Sequence, residues 1–186
     1  MFRPEPVISV PGMCVLCFAL ISFQSALAQR YTCEDGKVIF FSDAPVEDIE
    51  AVNNKVSSIF TADRGVIVFS VPIKEFQFEK KLMQEHFNDK YMESARFPRS
   101  TFAGTLSGYS LDKSCVQDVR AVGNLTIHGI LRSVDVKGTL EVKGSTLIMK
   151  AKFKVLMAHY DIKIPAILWE NISEEVEVTL DLTYKK

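Results

Sequence analysis

The chain has almost no net charge: 22 basic side chains oppose 23 acidic ones over 186 residues, a formal balance of −1. With no basic excess there is no footprint for nucleic acid or for an anionic membrane surface. No linker rich in Pro, Gly or Ser, no low-complexity tract and no helical repeat divides the sequence, so multidomain arrays and solenoids are excluded. The motifs that carry common chemistries are missing as well. From Gln29 onward there is no nucleophile elbow, phosphate-binding Gly loop, paired-cysteine motif or HExxH. The three histidines, His86, His128 and His159, share no metal-ligand spacing. A haem at His86 or His159 would lack a second ligand, and an acid–base pair of His128 with Asp135 would join a turn residue to an outward one. The expectation is a protein that is not an enzyme and needs no metal.

Long apolar runs are scarce too. The one over 13–23 is about half the roughly twenty residues that span a bilayer. Arg3 precedes it and Ala26-Leu27-Ala28 follows, the composition of a secretory signal peptide cleaved before Gln29. Residues 1–28 are thus expected to be a leader and 29–186 one domain, periplasmic or secreted. Neither Cys14 nor Cys17 has the small-residue context of a lipoprotein. Cysteine is sparse beyond the leader, where Cys33 and Cys115 alone remain. In an oxidising compartment they could close a long loop, worth roughly 4 kcal/mol on the chain-entropy estimate, or stand as two separate thiols.

What the sequence has in abundance is alternation. Over 119–127, Val119, Ala121, Gly123, Leu125 and Ile127 share one face; over 134–142, Val134, Val136, Gly138, Leu140 and Val142 share another. Antiparallel partners sum to a constant, so an odd inner face meets an even one only across a loop with an even number of residues. His128-Gly129 supplies a two-residue turn. Strand patterns recur at 37–42, 55–61, 65–73, 100–107, 116–127, 130–142, 145–156 and 173–184. The seventh sets Leu147, Met149, Ala151, Phe153 and Val155 against Lys150, Lys152 and Lys154; the eighth sets Val176, Val178, Leu180 and Leu182 against Glu175, Glu177, Thr179 and Asp181.

Eight one-sided strands in succession predict an all-β antiparallel meander, which removes its exposed edges by closing into a barrel. A barrel of eight strands is just wide enough to be filled by side chains or to hold a slender ligand. Small inward residues, Gly104, Ala121, Gly123, Gly138 and Ala151, fit either a lumen or a sheet that bends. One helix is expected over 79–92, with Leu82, Met83, Phe87 and Tyr91 near one face, and a short helical segment over 162–172 before the last strand. Both would pack across barrel openings.

Three blocks carry a family resemblance: 82–94 (LMQEHFNDKYMES), 97–104 (FPRSTFAG) and 123–130 (GNLTIHGI). Their order and spacing resemble the YceI-like family, the polyisoprenoid-binding, lipocalin-like barrel proteins, and in particular the secreted Bacteroidetes-type members. One departure is the stretch 53–60, NNKVSSIF, where the family commonly shows a His and a Gly-x-Phe. The resemblance implies an eight-stranded lipocalin-like barrel that holds a long isoprenoid chain, such as a quinone tail or polyprenyl lipid, with no catalytic group. The inward residues expected to line its lumen are Phe69, Val71, Phe102, Leu125, Val136, Leu140, Met149, Phe153, Val178 and Leu180. A second reading stays open: a packed barrel without a ligand, serving an envelope stress response or a membrane redox partner.

Overall fold

The computed structural model describes residues 29–43, 48–163 and 173–186. The leader and all but the first two residues of the helical segment expected over 162–172 lie outside them. The strands are β1 (Arg30–Ser42), β2 (Ile49–Thr61), β3 (Val66–Pro72), β4 (Gln77–Phe78), β5 (Arg99–Ser107), β6 (Val116–Ile127), β7 (Ile130–Lys143), β8 (Thr146–Leu156) and β9 (Glu175–Lys185). Hydrogen bonding runs in the order β1-β9-β8-β7-β6-β5-β3-β2-β4, and a β1–β2 pairing joins the ends. The result is a closed antiparallel barrel of eight strands, with the two-residue β4 added outside the ring beside Ala51 and Val52 of β2.

The β6–β7 register obeys the parity argument, from Val119↔Gly138 to Ile127↔Ile130. His128 (φ 50°) and Gly129 (φ 76°) take the left-handed backbone that a two-residue hairpin turn requires. On the outer wall the lysine face of β8 meets the acidic face of β9. Lys150 lies 3.1 Å from Asp181, Lys152 2.6 Å from Glu177 and Lys154 2.5 Å from Glu175. Exposed pairs of this kind fix register more than they add stability.

Two strands start earlier than their alternation suggests. β1 begins at Arg30, and its pairing with β2 slips on either side of Gly36, so the acidic Glu34-Asp35 pair sits at a bulge. β2 begins at Ile49 because the fully buried Asn53 satisfies itself within the wall. Its amide donates to the Pro72 carbonyl at 2.8 Å, and its side-chain oxygen accepts from the Lys55 N–H at 2.8 Å.

The small inward residues do not share one role. Gly104 and Gly123 are direct partners, and a Cβ on either would come within 2.7 or 2.9 Å of Phe102 Cζ. Their missing side chains admit the Phe102 ring rather than an empty lumen. Ala121, Gly138 and Ala151 do border a small void of about 60 Å³.

One end of the barrel is sealed by aromatic rings. Phe60, itself fully buried, meets Tyr109 (5.2 Å between centroids), Tyr184 (6.3 Å) and Tyr31 (6.4 Å). The Tyr184 hydroxyl lies 2.6 Å from Ser58 Oγ, whose own hydrogen goes to the Val68 carbonyl at 2.8 Å. Tyr184 is therefore the donor. Burial pushes its phenol well above the usual tyrosine range.

The disulfide reading is corrected. Cys33 and Cys115 are both free thiols, the first buried and the second exposed. β1 and the start of β6 stand on opposite walls, with three strands between them whichever way round the ring is counted. Burial raises the Cys33 thiol above its usual range.

At the other end, α1 (Lys81–His86) runs into a wide π turn over Phe87–Tyr91. The helix expected over 79–92 is shorter and loosens at its end, with the Met92 N–H reaching back five residues to Phe87. No Ser, Thr, Asp or Asn precedes Lys81 to cap it. The chain leaving this segment is clasped by the hairpin turn. His128 Nε2 lies 3.2 Å from Glu93 Oε1 and Nδ1 3.2 Å from the Tyr160 carbonyl, and the ring stands edge-on to Phe97 at 4.5 Å. His128 thus makes no pair with Asp135, whose carboxylate is bound by Arg120 and held below the usual range by that hydrogen bond. A Cβ at Gly129 would approach Phe97 Cε1 to 2.5 Å, whereas one at Gly144 (φ 61°) would meet nothing within 4 Å.

Two stability measurements follow. In urea unfolding, Gly144→Ala is expected to cost about 1 kcal/mol from positive-φ strain alone, and Gly129→Ala at least about 1 kcal/mol more because Phe97 must move; equal losses would contradict the clasp. Tyr184→Phe is expected to cost about 1 kcal/mol through the lost buried donor, and no loss would mean that the hydroxyl contact adds nothing to the seal.

Candidate functional site: an apolar cavity beneath the helix

Opposite the aromatic seal the barrel is hollow. A cavity of about 410 Å³ lies between the walls and α1. Of the inward residues read from alternation, Phe69, Val71, Leu125, Phe153, Val178 and Leu180 line it together. Phe102, Val136 and Met149 instead border the smaller void deeper in the barrel. Leu140 lines neither: it is fully buried in the packed part opposite Met149. Alternation places Leu140 inside the wall correctly, but its depth puts it among side chains that already fill the space, and its assignment to the lumen is corrected.

The roof was only half legible. Leu82, Met83, His86, Phe87 and Tyr91 of the helical segment border the cavity, so the helix lies over the barrel opening as its apolar face suggests. What holds it there comes from residues that pattern reading passed over. Phe87 sits among Phe76 (5.4 Å between centroids), Phe78 (4.9 Å) and Phe40 (6.1 Å). Such edge and tilted contacts add about 0.5–1.5 kcal/mol each beyond area burial. The signal lay in Phe76-x-Phe78, an alternation too short to read as a strand, of which Gln77 and Phe78 pair onto β2 as β4.

Among the described residues no carboxylate, lysine or arginine borders the cavity; the polar members are His86 and Tyr91 at the roof and the buried Ser100. Burial raises the Tyr91 phenol above its ordinary range, so it stays neutral. Among the described residues no group of His, Cys, Asp and Glu is placed to hold a metal ion. The site can take up an apolar molecule by surface burial and orient it by one weakly polar end.

The comparisons agree with this architecture. The structure of BcnA from Burkholderia cenocepacia superposes with a TM-score of 0.67 at 17% identity, covering 80% of this chain and 95% of that one. A polyisoprenoid binding domain from Saccharophagus degradans, implicated in plant cell wall breakdown, gives 0.70 at 13% identity over 84% and 97%. The Campylobacter jejuni YCEI protein gives 0.61 at 12% identity over 76% and 86%. At these identities the likeness is one of fold. Among curated protein sequences none matches. The model of the YceI-like domain, however, matches residues 35–184, and the chain belongs to that family.

Proposed function

We propose that the protein is a non-enzymatic binding or carrier protein for an apolar, isoprenoid-like lipid, whose chain enters the barrel under α1. The observation that carries this reading is the 410 Å³ cavity, walled by apolar side chains apart from Ser100 and roofed by a helix held through side-chain contacts. A fully packed barrel would offer no such space. The Saccharophagus relative, described as polyisoprenoid binding, lends the ligand class by likeness of fold. Burying several hundred square ångströms of chain at about 25 cal/mol per Å² supports micromolar affinity after ordering costs. The leader-like residues 1–28 support work in the periplasm or outside the cell, where a lipid chain needs shielding from water.

Two experiments test the proposal. Organic extraction of the purified protein followed by mass spectrometry is expected to return a prenyl or quinone lipid in a fixed ratio to protein; a repeatedly empty protein that also ignores added prenols and quinones would sink it. Val178→Trp, on the half-buried cavity wall, is expected to lower binding of a fluorescent apolar probe such as N-phenyl-1-naphthylamine at least tenfold with the fold retained. Leu140→Trp, in the filled part, is expected instead to destabilise by about 1–3 kcal/mol. Unchanged probe binding in folded Val178→Trp would place the ligand elsewhere.

A further inference from the structure

The large cavity has a floor. Phe69 of β3, Leu125 of β6, Phe153 of β8 and Leu180 of β9 border both the 410 Å³ cavity and the 60 Å³ void behind it, so these four side chains form the constriction between them. One side of that constriction is backed by packed rings. Phe69 stacks on Phe102 with centroids 5.0 Å apart and planes 16° from parallel. Phe102 in turn lies over Gly104 and Gly123, with its tip 2.7 and 2.9 Å from where their Cβ atoms would be. On the other side Phe153 is only half-buried. Past the void lie Leu140, Leu147, Phe60 and Tyr184, essentially without exposed surface, and the aromatic seal.

A chain entering under α1 therefore meets a stop. A methylene group takes up about as much space as a water molecule, roughly 30 Å³. By that measure the cavity holds about fourteen carbons, or about three isoprene units, and the void beyond the constriction adds room for only about two carbons. The floor is wholly apolar, whereas His86 and Tyr91 border the roof, so the polar end of such a molecule stays outermost.

Resting on the lipid-binding reading above, we infer that the site is a chain-length ruler: it takes an apolar chain of about three isoprene units tail first, stopped by Phe69 and Phe153, with its polar end beside His86. A polyprenyl or quinone tail longer than this leaves its remaining units outside the cavity. Phe153 is the specificity-determining residue, because it can be shortened without disturbing the Phe69-Phe102 stack. Its removal joins the void to the cavity and admits about one further isoprene unit.

The test is the affinity of the purified protein for a series of prenols, read by displacement of N-phenyl-1-naphthylamine. Affinity is expected to rise from geraniol to farnesol by roughly threefold per added carbon, and then to level, with geranylgeraniol and solanesol within about threefold of farnesol. In Phe153→Ala the rise is expected to continue to geranylgeraniol, with farnesol binding retained as evidence of the fold. If that variant does not fold, Phe153→Leu is measured in its place, with a smaller shift in the same direction. Solanesol binding tenfold tighter than farnesol in the unaltered protein would overturn the ruler, as would a levelling point that stays at farnesol in the folded variant. Both results leave the lipid-binding reading standing. Failure of every prenol to bind would overturn that reading and the ruler with it.

Discussion

Everything in this molecule depends on the β1–β2 pairing that joins the two ends of the sheet. An open meander of eight one-sided strands would leave two rows of unpaired backbone groups and an apolar face without cover. Closure removes both problems at once, and it makes every strand's inward residues face the same interior. Once the ring is closed, its contents follow from how much side-chain volume each level supplies. The bulge at Gly36 and the self-satisfied Asn53 are the local adjustments by which β1 and β2 stay paired along their length.

The interior is divided unevenly. At one end Tyr31, Phe60, Tyr109 and Tyr184 fill the section and the Tyr184–Ser58 hydrogen bond fixes the arrangement. At the other end aromatic side chains are drawn outward to hold the helix: Phe40, Phe76 and Phe78 gather round Phe87 rather than plugging the barrel. The hairpin turn contributes from the side, where His128 holds the segment after the helix through Glu93 and Phe97. A hollow beneath a pinned roof results, and the apolar side chains that the described residues turn into it favour apolar occupants.

Parity made the barrel legible. Odd-inward β6 and even-inward β7 leave one turn, and the lysines of β8 opposite the acids of β9 identify the wet side. Alternation cannot report depth along the barrel axis, however, which is why Leu140 reads the same as Leu125 although only Leu125 borders the cavity. Nor can it weigh volumes: Gly104 and Gly123 look like space until the Phe102 ring is placed over them. The choice between a disulfide and two thiols stayed open in the sequence for a related reason, since spacing does not tell that Cys33 and Cys115 belong to opposite walls. The phenylalanines that hold the roof escaped because they act through contacts distant in sequence, and β4 is only two residues long.

The central claim is that the hollow half of the barrel, not its packed half or its outer wall, receives the lipid chain. Methyl-resolved NMR during titration with farnesol tests it most directly. The account predicts shifts at Val71, Leu125, Val178 and Leu180, which border the cavity, and none at the fully buried Leu140 and Leu147. Shifts confined to the exposed methyls of Val68, Val122 and Leu131 on the outer surface would contradict it.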